Sequence, residues 1–467
     1  MTPVRASPSP APIDCTAAQK RWVLAATILA SVISYIDESV VNIALPAIGR
    51  DLAASPATLQ WVINVYTLCL AAFLLVGGAA GDRFGRRRIF IAGIILFSLA
   101  SLGCGLSRSA GELIAARAVQ GLGAALLIPC SLAIIGAAFP ENERGRAIGT
   151  WAGVSAIAAA IGPLLGGWIV DHLAWQTIFL INPVLGLGAL WIAVRHLPES
   201  RDAAAPPGID WQGALLAFAG LACLVFGLIA LPEKGVGSRM VGGTIATGVV
   251  FLARFVWHEA HTAAPMMPLG LFRSTTFSGV NALTLLLYGA LGGAFFLLPF
   301  DLISVRGNSA TEAGAVFLPF TLIMAVLSRW SGGLLDRFGA RLPLILGPAI
   351  VAVGFVLFAL AGPTTSYVLA FLLPVSVVGL GMAITVAPLT TTVIAAVPQH
   401  QTGVASGINN AVASVASLLA IAVFGALALH GSLAEGIRIA MWVAAGLSLA
   451  GAVVAALTIS AGGARDR

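Results

Sequence analysis

Residues 20–46 read KRWVLAATILASVISYIDESVVNIALP. Two basic residues and a tryptophan open the stretch, and an apolar run follows. A helix needs ~20 apolar residues to cross a hydrocarbon core of ~30 Å, and this run is long enough. Inside it stand two adjacent carboxylates, Asp37 and Glu38. A charged group at mid-membrane costs about 2.5–3.5 kcal/mol even on the most permissive scale, so a pair of them calls for a reason. One reading is a protonatable group facing a wet cavity. The other is that one acid caps a break near Asn42 and Pro46 or snorkels outwards. Neighbouring helical residues point ~100° apart, so the two acids cannot serve one role equally. Asp37 is the first choice for the proton-carrying group and Glu38 the second.

The rest of the chain has the same character. Of 467 residues, 59% are hydrophobic and 9% charged, against about 25% charged in an ordinary soluble domain. No soluble interior could hold so much apolar surface, so the chain is read as a membrane protein. Fourteen segments qualify, at roughly 22–45, 58–80, 88–107, 110–136, 147–170, 175–195, 210–231, 240–257, 275–299, 312–332, 342–362, 366–392, 402–429 and 437–461. The net charge of +6 is not a nucleic-acid signal, because the basic residues are scattered at segment ends. With the N-terminus inside, eighteen of the 25 Lys and Arg fall on the inner side and six on the outer, leaving Arg117 within a segment. That bias predicts a multi-pass protein of the cytoplasmic membrane with both termini in the cytoplasm. Residues 1–19, rich in Pro, Ala and Ser, read as a disordered tail, 462–467 read as a cytoplasmic tail, and no cleavable signal peptide is expected. The five cysteines lack metal-type spacing, and the six histidines fall in loops or at segment ends. Neither a metal nor a cofactor is expected.

An internal repeat organises the segments. GGAAGDRFGRRR at 77–88 follows the second, and SGGLLDRFGAR at 331–341 follows the tenth. Both hold Asp-Arg-Phe-Gly, with Asp82 and Arg83 in one and Asp336 and Arg337 in the other. A six-helix repeat implies bundles at 20–200 and 263–461, with 201–262 an inserted pair. Repeats of this kind mark secondary transporters, with the site between the halves near the midplane. Gly78 and Gly85 permit tight turns, Arg86 and Arg87 act at least as topology signals, and Asp82 can accept hydrogen bonds at a helix start. An acid among arginines at such a junction could also latch two states together.

Arg117 offers a check on depth. Asp37 lies ~13 Å and Arg117 ~10 Å from the outer ends of their segments, at ~1.5 Å per residue. They sit at similar depth, either as a coupling pair or as a purely structural ion bridge. In the fifth segment, Gly145, Gly149 and Gly153 form a small-residue stripe, and Gly162, Gly166 and Gly167 surround Pro163. Such stripes let helices approach closely, which could be their whole purpose.

Together these residues resemble the major facilitator superfamily, specifically its fourteen-helix drug:proton antiporters. The resemblance rests on Asp37-x-Ser39-x-x-Asn42-x-Ala44-Leu45-Pro46, on Gly78-x-x-x-Asp82-Arg83-x-Gly85-Arg86-Arg87, and on Leu113-x-x-x-Arg117-x-x-Gln120-Gly121. It continues in Gly162-Pro163-x-x-Gly166-Gly167 and in Phe179-Leu180-Ile181-Asn182. The sequence departs from the family pattern at Ser39, Ala80, Ala158 and the additional Glu38. The resemblance implies an all-α polytopic fold of two six-helix bundles plus two inserted helices. It implies Asp37 and Arg117 in proton coupling, Asp82 and its arginines in the conformational switch, and the Gly-Pro segment in antiport. Candidates for the substrate cavity are Asn42, Tyr66, Asn182, Tyr288, Asp301, Asn409 and Asn410. The expected activity is proton-driven efflux of amphipathic organic compounds by a monomer in the bilayer. A dedicated exporter of one metabolite or lipid, or a non-transporting sensor, are the alternatives. An enzyme is disfavoured by the lack of a P-loop, GxSxG or GxGxxG.

Overall fold

The computed structural model describes residues 15–201, 208–235, 237–262, 265–362, 365–398, 401–429 and 431–459, apart from the side chains of 141, 142, 156, 160 and 328–337. Fourteen helical spans are long and apolar enough to cross a membrane, and there is no strand among the described residues. The first six are α1 (Ala17–Asp51), α2 (Pro56–Phe84), α3 (Arg86–Leu106), α4 (Ala110–Ala138), α5 (Glu141–His172) and α6 (Thr177–His196). Then come α7 (Trp211–Lys234) and α8 (Arg239–His261). The remaining spans comprise α9 (Thr275–Pro299), α10 (Ala310–Ala315), α11 (Phe317–Phe338), α12 (Arg341–Leu360), α13 (Leu373–Ala395), α14 (Thr402–Ala428) and α15 (Leu433–Thr458).

Local chemistry fixes the boundaries. Thr16 and Gln19 form a reciprocal capping box, so α1 starts within the stretch expected to be a tail. Ser55, Ser109, Ser274, Ser309 and Ser432 cap other helices by accepting a backbone N–H three residues on. The tenth span, expected to be continuous, breaks at Val316 between α10 and α11. Pro319 has no N–H to offer the Ala315 carbonyl, which is where the ladder fails. The ninth span runs past its expected end through a π-helical stretch, Phe300–Val305.

The two bundles pack by one scheme. In the first, α3 lies against α4 and α6, α2 against α4, and α1 against α5 and α6. In the second, α12 lies against α13 and α15, α11 against α13, and α9 against α14 and α15. The α7–α8 pair sits outside this scheme. Helix α7 packs on α2 and α14, where the bundles meet, and α8 packs on α7.

The bundles join unevenly along their length. We call the end bearing Asp82–Arg88 the basic face and the end bearing Asp51 and Asp171 the opposite face. Near the opposite face one apolar core runs through both bundles, uniting Val40, Ile48, Leu59 and Ile169 with Leu298, Ala313 and Val316. Near the basic face the core of Val23, Phe90, Ile134, Trp151 and Ala193 contains first-bundle residues alone. Among the described residues, the apolar core shared by the two bundles lies toward the opposite face.

Candidate functional site

The two acids of α1 have opposite surroundings. Asp37 is 2% exposed. One of its oxygens receives the Arg117 guanidinium. The other accepts from Gln120 Nε2 and Asn182 Nδ2, both at 2.8 Å. Arg117 is itself 1% exposed. Its Nε donates to the Val62 carbonyl at 3.2 Å and its Nη1 to Gln120 Oε1 at 2.8 Å. The guanidinium also lies over the Tyr66 ring, 4.2 Å from the centroid. Ser101 completes the cluster: its hydroxyl accepts from Asn182 at 2.9 Å and donates to the Phe179 carbonyl at 2.9 Å. Five helices, α1, α2, α3, α4 and α6, thus meet on one ion pair. A buried pair repays its desolvation only when further hydrogen bonds satisfy the remaining donors and acceptors, and here they do.

Glu38 is exposed at the centre of the same helix. Its carboxylate lies within electrostatic reach of Arg117, Asp37 and Tyr66, which places it toward the interior rather than toward lipid. Asn42, one turn further, is half-buried and donates to the Glu38 backbone carbonyl at 3.3 Å. Asp37 is sealed within the cluster, whereas Glu38 at the next position is exposed.

Several cavity candidates lie elsewhere. Tyr66 and Asn182 are fully buried in the Arg117–Asp37 cluster and do not line open space. Asn409 donates to Asn281 at 3.1 Å and to Thr284 at 2.8 Å, joining α14 to α9. Asp301 stands in the π-helical stretch beside Arg306, on an open cavity of about 680 Å³ lined by the second bundle near the opposite face. Tyr288 is half-buried and Asn410 exposed.

The glycines of α5 divide in two. A Cβ on Gly162 would stand 1.9 Å from Ser39 Oγ, one on Gly166 2.8 Å from Val40, and one on Gly167 2.2 Å from the Ala310 carbonyl oxygen. Close approach of α1 and α10 to α5 around Pro163 therefore requires glycine. Gly145, Gly149 and Gly153 meet no described residue within 4 Å. Among the described residues, this stripe supports no close packing.

In the α2–α3 loop, Asp82 pairs with Arg86 at 2.7 Å. Gly85 turns the chain at φ +115°, a conformation that favours glycine. A Cβ on Gly78 would meet only Pro129, at an ordinary 3.6 Å, and Arg83 lies over Phe84. Arg87 donates to the carbonyls of Ala193, at 3.2 Å, and Val194, tying the loop to the end of α6. Sequence reasoning missed Glu199, which accepts the Arg87 N–H at 3.1 Å and faces Arg88 at 3.7 Å. These partners all belong to the first bundle. The side chains of Asp336 and Arg337 in the second copy lie outside the described residues.

Asp171 was also missed. At the opposite face it accepts from the Ala310 N–H at 3.0 Å, the Thr311 N–H at 2.7 Å and the Thr311 hydroxyl at 2.5 Å. It fastens the last turn of α5 to the first turn of α10, across the bundles. An acid near the end of a long segment was its only sequence signal.

Two like six-helix bundles are an architecture of secondary transporters. The family model of the Major Facilitator Superfamily matches residues 27–421, and the chain belongs to that superfamily. It is 36% identical to "Multidrug resistance protein Stp" of Mycobacterium tuberculosis (strain CDC 1551 / Oshkosh), across 86% of this chain and 75% of that one. It is 36% identical to the "Tetracenomycin C resistance and export protein" of Streptomyces glaucescens, across 84% and 73%. It is 35% identical to the "Puromycin resistance protein pur8" of Streptomyces alboniger, across 89% and 84%. Among solved structures, a bacterial homolog of the human lysosomal transporter Spinster, inward-facing and unoccupied, superposes with a TM-score of 0.66 at 18% identity, covering 95% and 98%. A D-xylose-proton symporter does so with 0.67 at 15%, covering 94% and 98%. The chain is a multi-pass membrane transporter of the efflux type.

Proposed function

We propose that this protein exports amphipathic organic compounds, antibiotics among them, in exchange for protons. The observation that carries the reading is the division of labour on α1. Asp37 and Arg117 neutralise each other, so the pair adds little net charge to the cavity. Glu38, when ionised, leaves one uncompensated negative charge there. A lipophilic cation and a proton compete for that charge, and each displaces the other. Such competition is antiport. The energy source is the proton gradient, with no cofactor, and one chain is enough.

Positive-inside bias supports placing the basic face and both termini in the cytoplasm of the inner membrane, and we read the state joined at the opposite face as the one open to the cytoplasm. In that state Glu38 loads substrate. When the Asp171 contact breaks and the arrangement inverts, Glu38 meets the outer, proton-rich side, takes a proton and releases its cargo. We assign the bundles to residues 20–200 and 263–461 and the inserted pair to 201–262. Asp82, with Arg86 and Arg87, stiffens the hinge of the first bundle, and Asp336 and Arg337 are assigned the equivalent task in the second.

The test is substrate-driven proton movement in inside-out vesicles, with a panel of lipophilic cations and antibiotics. Wild type is compared with Glu38→Gln and Asp37→Asn. Proton release lost in Glu38→Gln, in a protein that still binds substrate, supports the reading. Release that survives Glu38→Gln sinks Glu38 as the carrier. Wild type that moves neither protons nor any compound of the panel sinks antiport of this substrate class.

A further inference from the structure

A second carboxyl pair, remote from Asp37, lies in the inserted helices at the basic face. Asp210 caps α7, its Oδ1 accepting from the Gly213 N–H and contacting His258 Nε2, both at 2.8 Å. Glu259, in the last turn of α8, is 3% exposed. Its Oε2 accepts the Met267 N–H at 2.8 Å, in the segment that leads into α9. The two remaining oxygens, Asp210 Oδ2 and Glu259 Oε1, are buried and have no hydrogen-bond partner. They converge on one point: a Cβ on Gly213 would stand 2.6 Å from the first and 2.7 Å from the second. Only glycine leaves room for both.

Two ionised carboxylates cannot face each other this way inside protein. Their charges repel, and each bare oxygen has lost its water. One proton between them removes a charge and supplies the missing donor. Its resting place follows from the other contacts. Burial pushes the Asp210 carboxyl up, but the Gly213 N–H and the His258 ring outweigh it and hold Asp210 below the usual range. Asp210 is therefore the anion and Glu259 the acid. The charged groups facing Glu259 are Asp210, the cap of α7, and His258 from its own helix.

We propose that Asp210 and Glu259 form a second proton-binding site, in which one proton on Glu259 bridges to Asp210 and holds the lead-in of α9 against the inserted pair. On the orientation proposed above this site reads cytoplasmic pH. Loss of the proton sets two anions against each other. Glu259 then withdraws, the Met267 contact breaks, and the support of α9 loosens. The inserted pair thereby ties the second bundle to cytoplasmic acidity without taking part in the transport path.

Hydrogen exchange of residues 265–273 in the purified full chain in nanodiscs tests this, corrected for the intrinsic pH dependence. No substrate or gradient is present, so the result is independent of whether the protein transports. Wild type is expected to be protected in acid and to exchange about tenfold faster in alkali, as a local opening does. Glu259→Gln keeps a donor toward Asp210 and an acceptor toward Met267, and stays protected throughout. Glu259→Ala exchanges fast at every pH. Glu38→Gln keeps the wild-type profile. Infrared difference spectra should show a protonated carboxyl band that titrates in wild type and is absent from Glu259→Gln. Protection of wild type that ignores pH overturns the proposal, as does Glu259→Gln behaving like Glu259→Ala. A profile moved by Glu38→Gln also overturns it, by assigning the pH response to the centre of the transporter.

Discussion

The polar centres of the two bundles differ in kind. The first joins five helices through a sealed ion pair, Asp37 with Arg117, and its retinue of Gln120, Asn182 and Ser101. The second joins α9 to α14 through neutral groups, Asn281, Thr284 and Asn409. Helix pairing is alike in both, so the contrast lies in side chains rather than topology. The buried charged centre belongs to the first half, and the α9–α14 centre of the second half is neutral.

The contrast is broken most directly at Arg117. Arg117→Ala leaves Asp37 buried and unpaired, and should cost about 3–5 kcal/mol, read as a large drop in thermal unfolding temperature in detergent. If instead stability barely changes, the centre is wetter than the geometry implies. Gly167→Val comes next. Its side chain would strike the α10 backbone at the opposite face, so transport should fall steeply, and a cysteine pair at positions 171 and 311 should cross-link less. Glu38→Gln sharpens the comparison by separating charge from structure: stability should stay within about 0.5 kcal/mol of wild type while proton exchange vanishes. The smallest effect belongs to the second bundle. Asn409→Ala should cost about 0.6 kcal/mol, the average for a hydrogen bond between membrane helices. A loss as large as that of Arg117→Ala would erase the difference between the halves.

The sequence makes the spans and the misfit charges legible, because hydrocarbon penalises charge wherever it falls. Asp37 and Arg117 stand out for that reason, and their depths follow from counting residues. Which of two adjacent acids is sealed does not follow. That depends on where α4 and α6 deliver Gln120 and Asn182, through contacts far apart in sequence. Asp171 and Glu199 were invisible for a related cause: an acid at a helix end looks like an ordinary solvated residue until its partner arrives from another helix. The Val316 break was legible in principle, since Pro319 lies three residues on, but a single proline in so apolar a run is easily absorbed into a continuous helix.

The Asp171 contact sets where an idle carrier waits. On the exchange mechanism proposed above, the three hydrogen bonds to α10 weigh toward the form joined at the opposite face, and an empty molecule would rest open to the basic face. A compound approaching from the other side meets a binding-competent form only rarely, and its apparent affinity is weakened by that rarity. Loosening the fastening would leave the cavity chemistry intact and yet let exported compounds return. The direction of traffic thus depends in part on a carboxylate that never meets the cargo.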